Sequence, residues 1–235
     1  MSWRWTVWTL GITALALLIL MPLRVVLPSA EFERLGLSAR QVGGSIWRGR
    51  IGDLMLGRQL LGTFDVRMDP AALMLGRIAM PFERLGSTQG PLTGVLRTGG
   101  ALRGVQNLSG TLPAGNLFGA APIETLEFSN ATILFRNSMC EQAEGQVSVR
   151  MALRVGPLDL SRLFAGTVVC EGQRVRARLA TPGGRERIEF FVNSSGRLRG
   201  WVTIPVTVPG AEGILAAYGF KAGSNGLVLP FETRL

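Results

Sequence analysis

The chain has no histidine, a single lysine and only two cysteines among its 235 residues. Without histidine the usual general base is missing, and with it most hydrolase triads. Serine–lysine chemistry would depend on Lys221 alone, which falls in a turn-forming stretch. With no histidine and no clustered thiols, a zinc site has no ligands to draw on. A phosphate loop is missing too, since Gly43-Gly44-Ser45 is not followed by Gly-Lys-[Ser/Thr]. Glu141 and Glu144 lie beside a turn and read as solvating it. The Asn-x-[Ser/Thr] triplets at Asn107, Asn130 and Asn193 are at chance level. The expectation is therefore a protein that is not an enzyme, with no catalytic residue, cofactor, metal or small-molecule substrate.

Runs of like charge are also missing. The net charge is +9, carried almost wholly by arginine, but the basic residues are spread through alternating segments. A dispersed, solvated face follows, and no nucleic-acid groove is expected. No acidic residue precedes Arg24.

The first segment with a clear character is Trp5–Leu23. It is 19 residues without charge, nine of them Val, Ile or Leu. At about 1.5 Å per residue, a helix of this length just crosses a hydrocarbon core of roughly 30 Å. Trp3, Trp5 and Trp8 cluster at one end, where indole rings rest among headgroups. The rival reading is a cleaved signal peptide. The run is long for that, and the best cut, after Ala30, puts Pro28 where a small residue is wanted. A retained anchor is the better reading, giving a short cytoplasmic tip and anchor over 1–24, an exit linker over 25–41 and a β-rich domain over 42–235. Arg4 on one flank and Arg24, Arg34 and Arg40 on the other do not orient it, because long domains translocate largely regardless of charge.

Cys140 and Cys170 bear on the compartment. An even count beyond an anchor suggests one disulfide in an oxidising space. Two unrelated buried thiols in a reducing space is the other reading.

Past the anchor the pattern is strand-like. Leu60, Gly62, Phe64, Val66 and Met68 alternate with Leu61, Thr63, Asp65 and Arg67, which predicts a strand with one buried face. Asp69-Pro70 starts a short helix over Ala71–Leu75, and Gly76 stops it. Further strands are expected at Pro91–Arg97, Ala101–Leu112, Thr125–Arg136, Val147–Leu153, Thr167–Glu171, Gln173–Leu179, Arg187–Val192, Arg197–Ile204 and Leu227–Arg234. Short helical pieces are expected at Leu158–Phe164 and Ala211–Tyr218. Trp47 reads as a large core or edge anchor. This is an all-β chain with one N-terminal transmembrane helix: a curved antiparallel sheet, half-barrel or sandwich-like, with a few short helical turns. No exact sequence period marks a solenoid.

The order of these pieces resembles protein N of the bacterial type II secretion system. Gly44-Ser45-Ile46-Trp47-Arg48-Gly49 matches that family's Gly-[Thr/Ser]-[Val/Ile]-Trp-x-Gly signature. Pro70 to Arg77 matches its Pro-x-x-Leu-x-x-Gly-Arg turn, and two well-separated cysteines follow. The resemblance implies a single-pass inner-membrane subunit of a protein-export machine, its large domain in the periplasm. Its partners would then be other secretion subunits and inner-membrane lipid, with no nucleic acid. Two function classes stay open: a subunit binding other secretion proteins through sheet edges, or a lipid-binding module using an apolar curved face. An unfilled apolar groove would favour lipid, and a packed interior the subunit.

Overall fold

The computed structural model describes residues 5, 7–10, 12–13, 16, 20–26 and 37–234, except 58, 87–88, 100, 119–120, 156–157, 160, 206–210 and 225. Of the expected anchor Trp5–Leu23, residues 6, 11, 14–15 and 17–19 lie outside the described residues. Those described at 5, 7–10, 12–13 and 16 are helical. Among the described residues no helix is long and apolar enough to cross a membrane.

Turn signals every eight to twelve residues produce a meander. The strands are β1 (Leu37–Ser45), β2 (Arg48–Leu56), β3 (Gln59–Val66), β4 (Ile78–Leu85), β5 (Leu92–Gly99), β6 (Leu102–Pro113), β7 (Ile123–Arg136) and β8 (Met139–Met151). A two-stranded ribbon of β9 (Arg154–Val155) and β10 (Leu158–Asp159) follows. Then come β11 (Arg162–Glu171), β12 (Arg174–Ala180), β13 (Arg187–Asn193), β14 (Arg197–Ile204), β15 (Lys221–Gly223) and β16 (Gly226–Arg234). Fourteen of them form one sheet in the order β1-β2-β3-β4-β5-β6-β7-β8-β11-β12-β13-β14-β16-β15, every pairing antiparallel. Strand β1 starts at Leu37, ahead of the domain boundary expected at residue 42.

The sheet has to curl. A 3-10 turn, η1 (Gly115–Phe118), between β6 and β7 touches both β3 and β16. Those strands are ten places apart in the sheet order, about 48 Å if it were flat. The turn itself is about 8 Å long. It can reach both only if the sheet folds round it. Phe118, 2 % exposed, packs edge-on against Phe190 of β13 and Phe231 of β16. Around it Val149, Met151, Phe164, Ala177 and Val202 are wholly buried. A smaller cluster of Leu23, Ile51, Leu61, Phe64, Val66, Met80 and Leu92 lies under the first strands.

Two expectations are corrected. Leu158–Phe164 is not helical. Asp159 pairs with Arg154 in the ribbon, and Arg162, Leu163 and Phe164 pair with Met151, Arg150 and Val149 of β8. Phe164 is buried and Leu163 is 45 % exposed, so the period there is two. The second correction concerns β3. Leu60 is exposed and Leu61 buried, the reverse of the simple alternation, while Phe64, Val66 and Met68 are buried as expected. Register shifts in the β2–β3 ladder between Ile51 and Met55 are the cause, since a bulge moves the following residues to the other face.

Candidate docking site

The family-like hexapeptide forms the β1–β2 turn. Ser45 pairs with Arg48, and its Oγ accepts a hydrogen bond from the Arg48 N–H at 3.3 Å. Gly44 holds φ +84°, and a Cβ there would lie 2.4 Å from the Arg48 carbonyl oxygen, so both backbone and space require glycine. Between them Ile46 sits 2 % exposed. Its N–H donates to the Met21 carbonyl at 3.1 Å, and its carbonyl accepts from Met68 N–H at 2.9 Å. The turn therefore ties the end of the N-terminal segment to the end of β3. Pro22 bridges Ser45, and Leu23, 1 % exposed, packs on Gly49, which has no side chain to obstruct it. A single helical turn, α1 (Leu23–Val26), begins here. Trp47 is only partly buried. The buried residue of this turn is Ile46, which the sequence marks only as a member of the hexapeptide, where Trp47 reads as the anchor.

Met68 leads into α2 (Pro70–Met74). Asp69 caps it, accepting from Ala71 N–H at 2.9 Å, and Pro70 needs no donor partner at the first position. Gly76 at φ +67° ends it, as the sequence predicts. Beside the β1–β2 turn, an open cleft of about 640 Å³ is lined by Gly43, Gly44, Arg48, Arg50, Asp65, Arg67 and Glu83 among others. Arg50 Nε donates to Asp65 Oδ1 at 2.8 Å, and this bond raises the guanidinium pKa above its ordinary value. Among the described residues, no serine, cysteine or lysine lines the cleft. It can offer charge and hydrogen bonds to a partner.

The two sheet edges differ. On the outer side of β1, among the described residues, only Pro22 pairs, and only with Ser45. The strand runs nine residues without proline. At the other edge β15 is three residues long and reaches only to Val228 of β16, and Pro230 of β16 offers no N–H. Among the described residues the first edge is covered only by Pro22 and the α1 turn, which packs against β1, and carries no paired strand, while the second is blunted.

Cys140 at the start of β8 and Cys170 near the end of β11 are joined, their Cα atoms 5.5 Å apart. The β8–β11 ladder stops at Gln146 and Thr167; beyond it the bridge, together with a hydrogen bond from Cys140 N–H to the Gly172 carbonyl at 3.1 Å, holds the ends together. Glu141 is held by Arg136 through both its carboxylate oxygens, and this lowers its pKa. Glu144 accepts from Gln142 Nε2 at 2.7 Å. The two carboxylates thus have separate partners. Lys221 is exposed on β15. Among the described residues no group of His, Cys, Asp or Glu is placed to hold a metal ion.

Arg84 carried no sequence signal. It is 4 % exposed, where an alternating strand would place an apolar residue. Its Nη1 donates to the Gly90 and Thr111 carbonyls at 3.3 and 3.0 Å, and its guanidinium lies over the Phe64 ring. It fastens the β4–β5 loop to β6, and burial pulls its pKa below the ordinary value.

A family model for protein N of the type II secretion system matches residues 35–229, from just before β1 into β16. The chain belongs to that family. Both the Gly44–Gly49 turn and the Pro70–Arg77 segment that holds α2 fall inside the match. Membership makes it a type II secretion subunit in general terms, with other components of that system as its partners. Neither the curated proteins nor the solved structures contain a match to it.

Proposed function

We propose that this member of the family is an inner-membrane-anchored, single-pass subunit whose large domain lies in the periplasm. There it assists export of folded proteins by binding other secretion subunits, with no turnover of its own. The observation that carries the reading is the β1 edge: nine residues of strand, proline-free and, among the described residues, paired to no second strand on its outer side, on a sheet whose opposite edge is blunted. An open edge accepts a partner's strand through main-chain hydrogen bonds. The packed interior around Phe118 and Phe164 supports a binding subunit over a lipid carrier, which would need an unfilled apolar groove.

Support for the anchor comes from the described N-terminal residues. Trp5, Trp8, Leu10 and Ile12 are 63–72 % exposed on a helical segment, as lipid-facing side chains would be. The Thr9 and Thr13 hydroxyls donate back to the Trp5 and Thr9 carbonyls at 3.0 and 2.8 Å, so neither needs water. The Cys140–Cys170 bridge supports an oxidising compartment for the domain. A cross-linking pull-down from native membranes tests the proposal. Secretion subunits should be recovered, and recovery of lipid without any of them would contradict it.

A further inference from the structure

We infer that α2 is a second, shallow membrane contact, with Met74 and Leu75 at its tip seated among the lipid headgroups. The inference rests on the anchored reading above. Met74 is 89 % exposed and Leu75 72 %. Beyond the N-terminal segment, no other exposed large apolar residue among those described exceeds 49 %. Adjacent apolar side chains held this far into water mark a contact surface when something specific faces them.

What faces them follows from the hydrogen-bond path. Near the end of the N-terminal segment the Met21 carbonyl accepts from Ile46 N–H; the Ile46 carbonyl accepts from Met68 N–H; and Met68 runs through the Asp69 cap into α2. The helix therefore starts two hydrogen bonds from a point near the end of the anchor. The Asp69 N–H donates to the Ala79 carbonyl at 2.9 Å, which fastens the base of α2 to β4. Ala72 is the buried residue of the helix itself, so the tip projects from a fixed base. In a meander the β1–β2 and β3–β4 connections share one end of the sheet, and the anchor leaves from that end. Exposed Arg24, Arg48 and Arg77 stand at the same end. Guanidinium groups beside an apolar tip suit a bilayer surface bearing phosphates. The Asp69 carboxylate is turned onto Ala71 N–H and so adds little repulsion.

The test uses the full chain in nanodiscs of phosphatidylcholine and phosphatidylglycerol, with the native disulfide intact. Single cysteines carrying an environment-sensitive fluorophore replace Met74, Leu10 in the anchor, or Leu60 at the far end of β3. All three positions are exposed, so the labels do not disturb the core. The Met74 label should emit to the blue and be quenched most by lipids carrying a nitroxide near the headgroup. Leu10 should be quenched most by a deep nitroxide, and Leu60 by neither. A Met74 label that stays accessible to aqueous iodide while Leu10 is embedded overturns the inference alone and leaves the tip to a protein partner. Iodide reaching both labels overturns the inference together with the anchor.

Discussion

A methyl group of Leu23 occupies the space that a side chain on Gly49 would fill: a Cβ built on Gly49 would lie 2.4 Å from Leu23 Cδ2. The last residue of the apolar N-terminal run and the last glycine of the family-like hexapeptide are thus one packing unit. The domain does not hang from a free tether there; its first hairpin grips the end of that segment.

Gly49→Ala should therefore destabilise the chain by roughly 1–3 kcal/mol through overpacking. Leu23→Ala should cost about 2–5 kcal/mol through the cavity it leaves. The double variant should lose less than the two together, since shortening Leu23 makes room for the new methyl. Chemical denaturation of the full chain in detergent reads all three. Simple additivity would refute the packing unit.

Ile46 and Trp47 should separate in the same assay. Ile46→Ala removes a side chain that is 2 % exposed and should cost about 2–5 kcal/mol. Trp47→Ala removes a partly buried ring and should cost less than that. A larger loss at Trp47 would return the anchoring role to the ring.

The bridge between Cys140 and Cys170 closes a loop of 30 residues, worth about 3–4 kcal/mol in the chain-entropy model. Replacing both cysteines by serine should lower stability by that order. Denatured, non-reduced protein should take up no maleimide. Free labelling of both thiols would contradict the pairing.

The Arg136–Glu141 pair gives a pH effect of known sign. Glu141 has a lowered folded pKa, so the pair's contribution is present above the ordinary glutamate range and is lost as pH falls through the folded value. The pair is exposed, and the effect on stability should be small. Arg136→Gln should return the Glu141 carboxyl toward its ordinary titration range. Carbon-detected NMR of the Glu141 side chain reads this directly, and an unchanged titration would rule out the pair as the cause.

Much of this fold is legible because strands such as β12, β13 and β14 alternate buried and more exposed residues, and because the turns between strands are announced. Asp69, Pro70 and Gly76 mark a helix whose cap chemistry is entirely local. The misreadings share one cause, which is how each segment pairs with its neighbour in the sheet. Leu163 and Phe164 are strand because β8 lies beside them, and Leu61 faces inward because β2 shifts register. Arg84 is illegible for a similar reason: its partners, the Gly90 and Thr111 carbonyls, are brought to it by β5 and β6. The hexapeptide around Trp47 is conspicuous in sequence. That Ile46 is its anchor, and that it grips Leu23, depends on where residues 21–23 return in space.

The central claim is that the β1 edge receives another secretion subunit. It is tested by photo-activated cross-linking in living cells from single positions on exposed residues of β1. Arg40 and Gln41 are suitable, with Arg178 on the outer face of β12 as the control. Adducts with other type II secretion subunits are expected from Arg40 and Gln41, and not from Arg178. Adducts confined to Arg178, with none along β1, would contradict the claim.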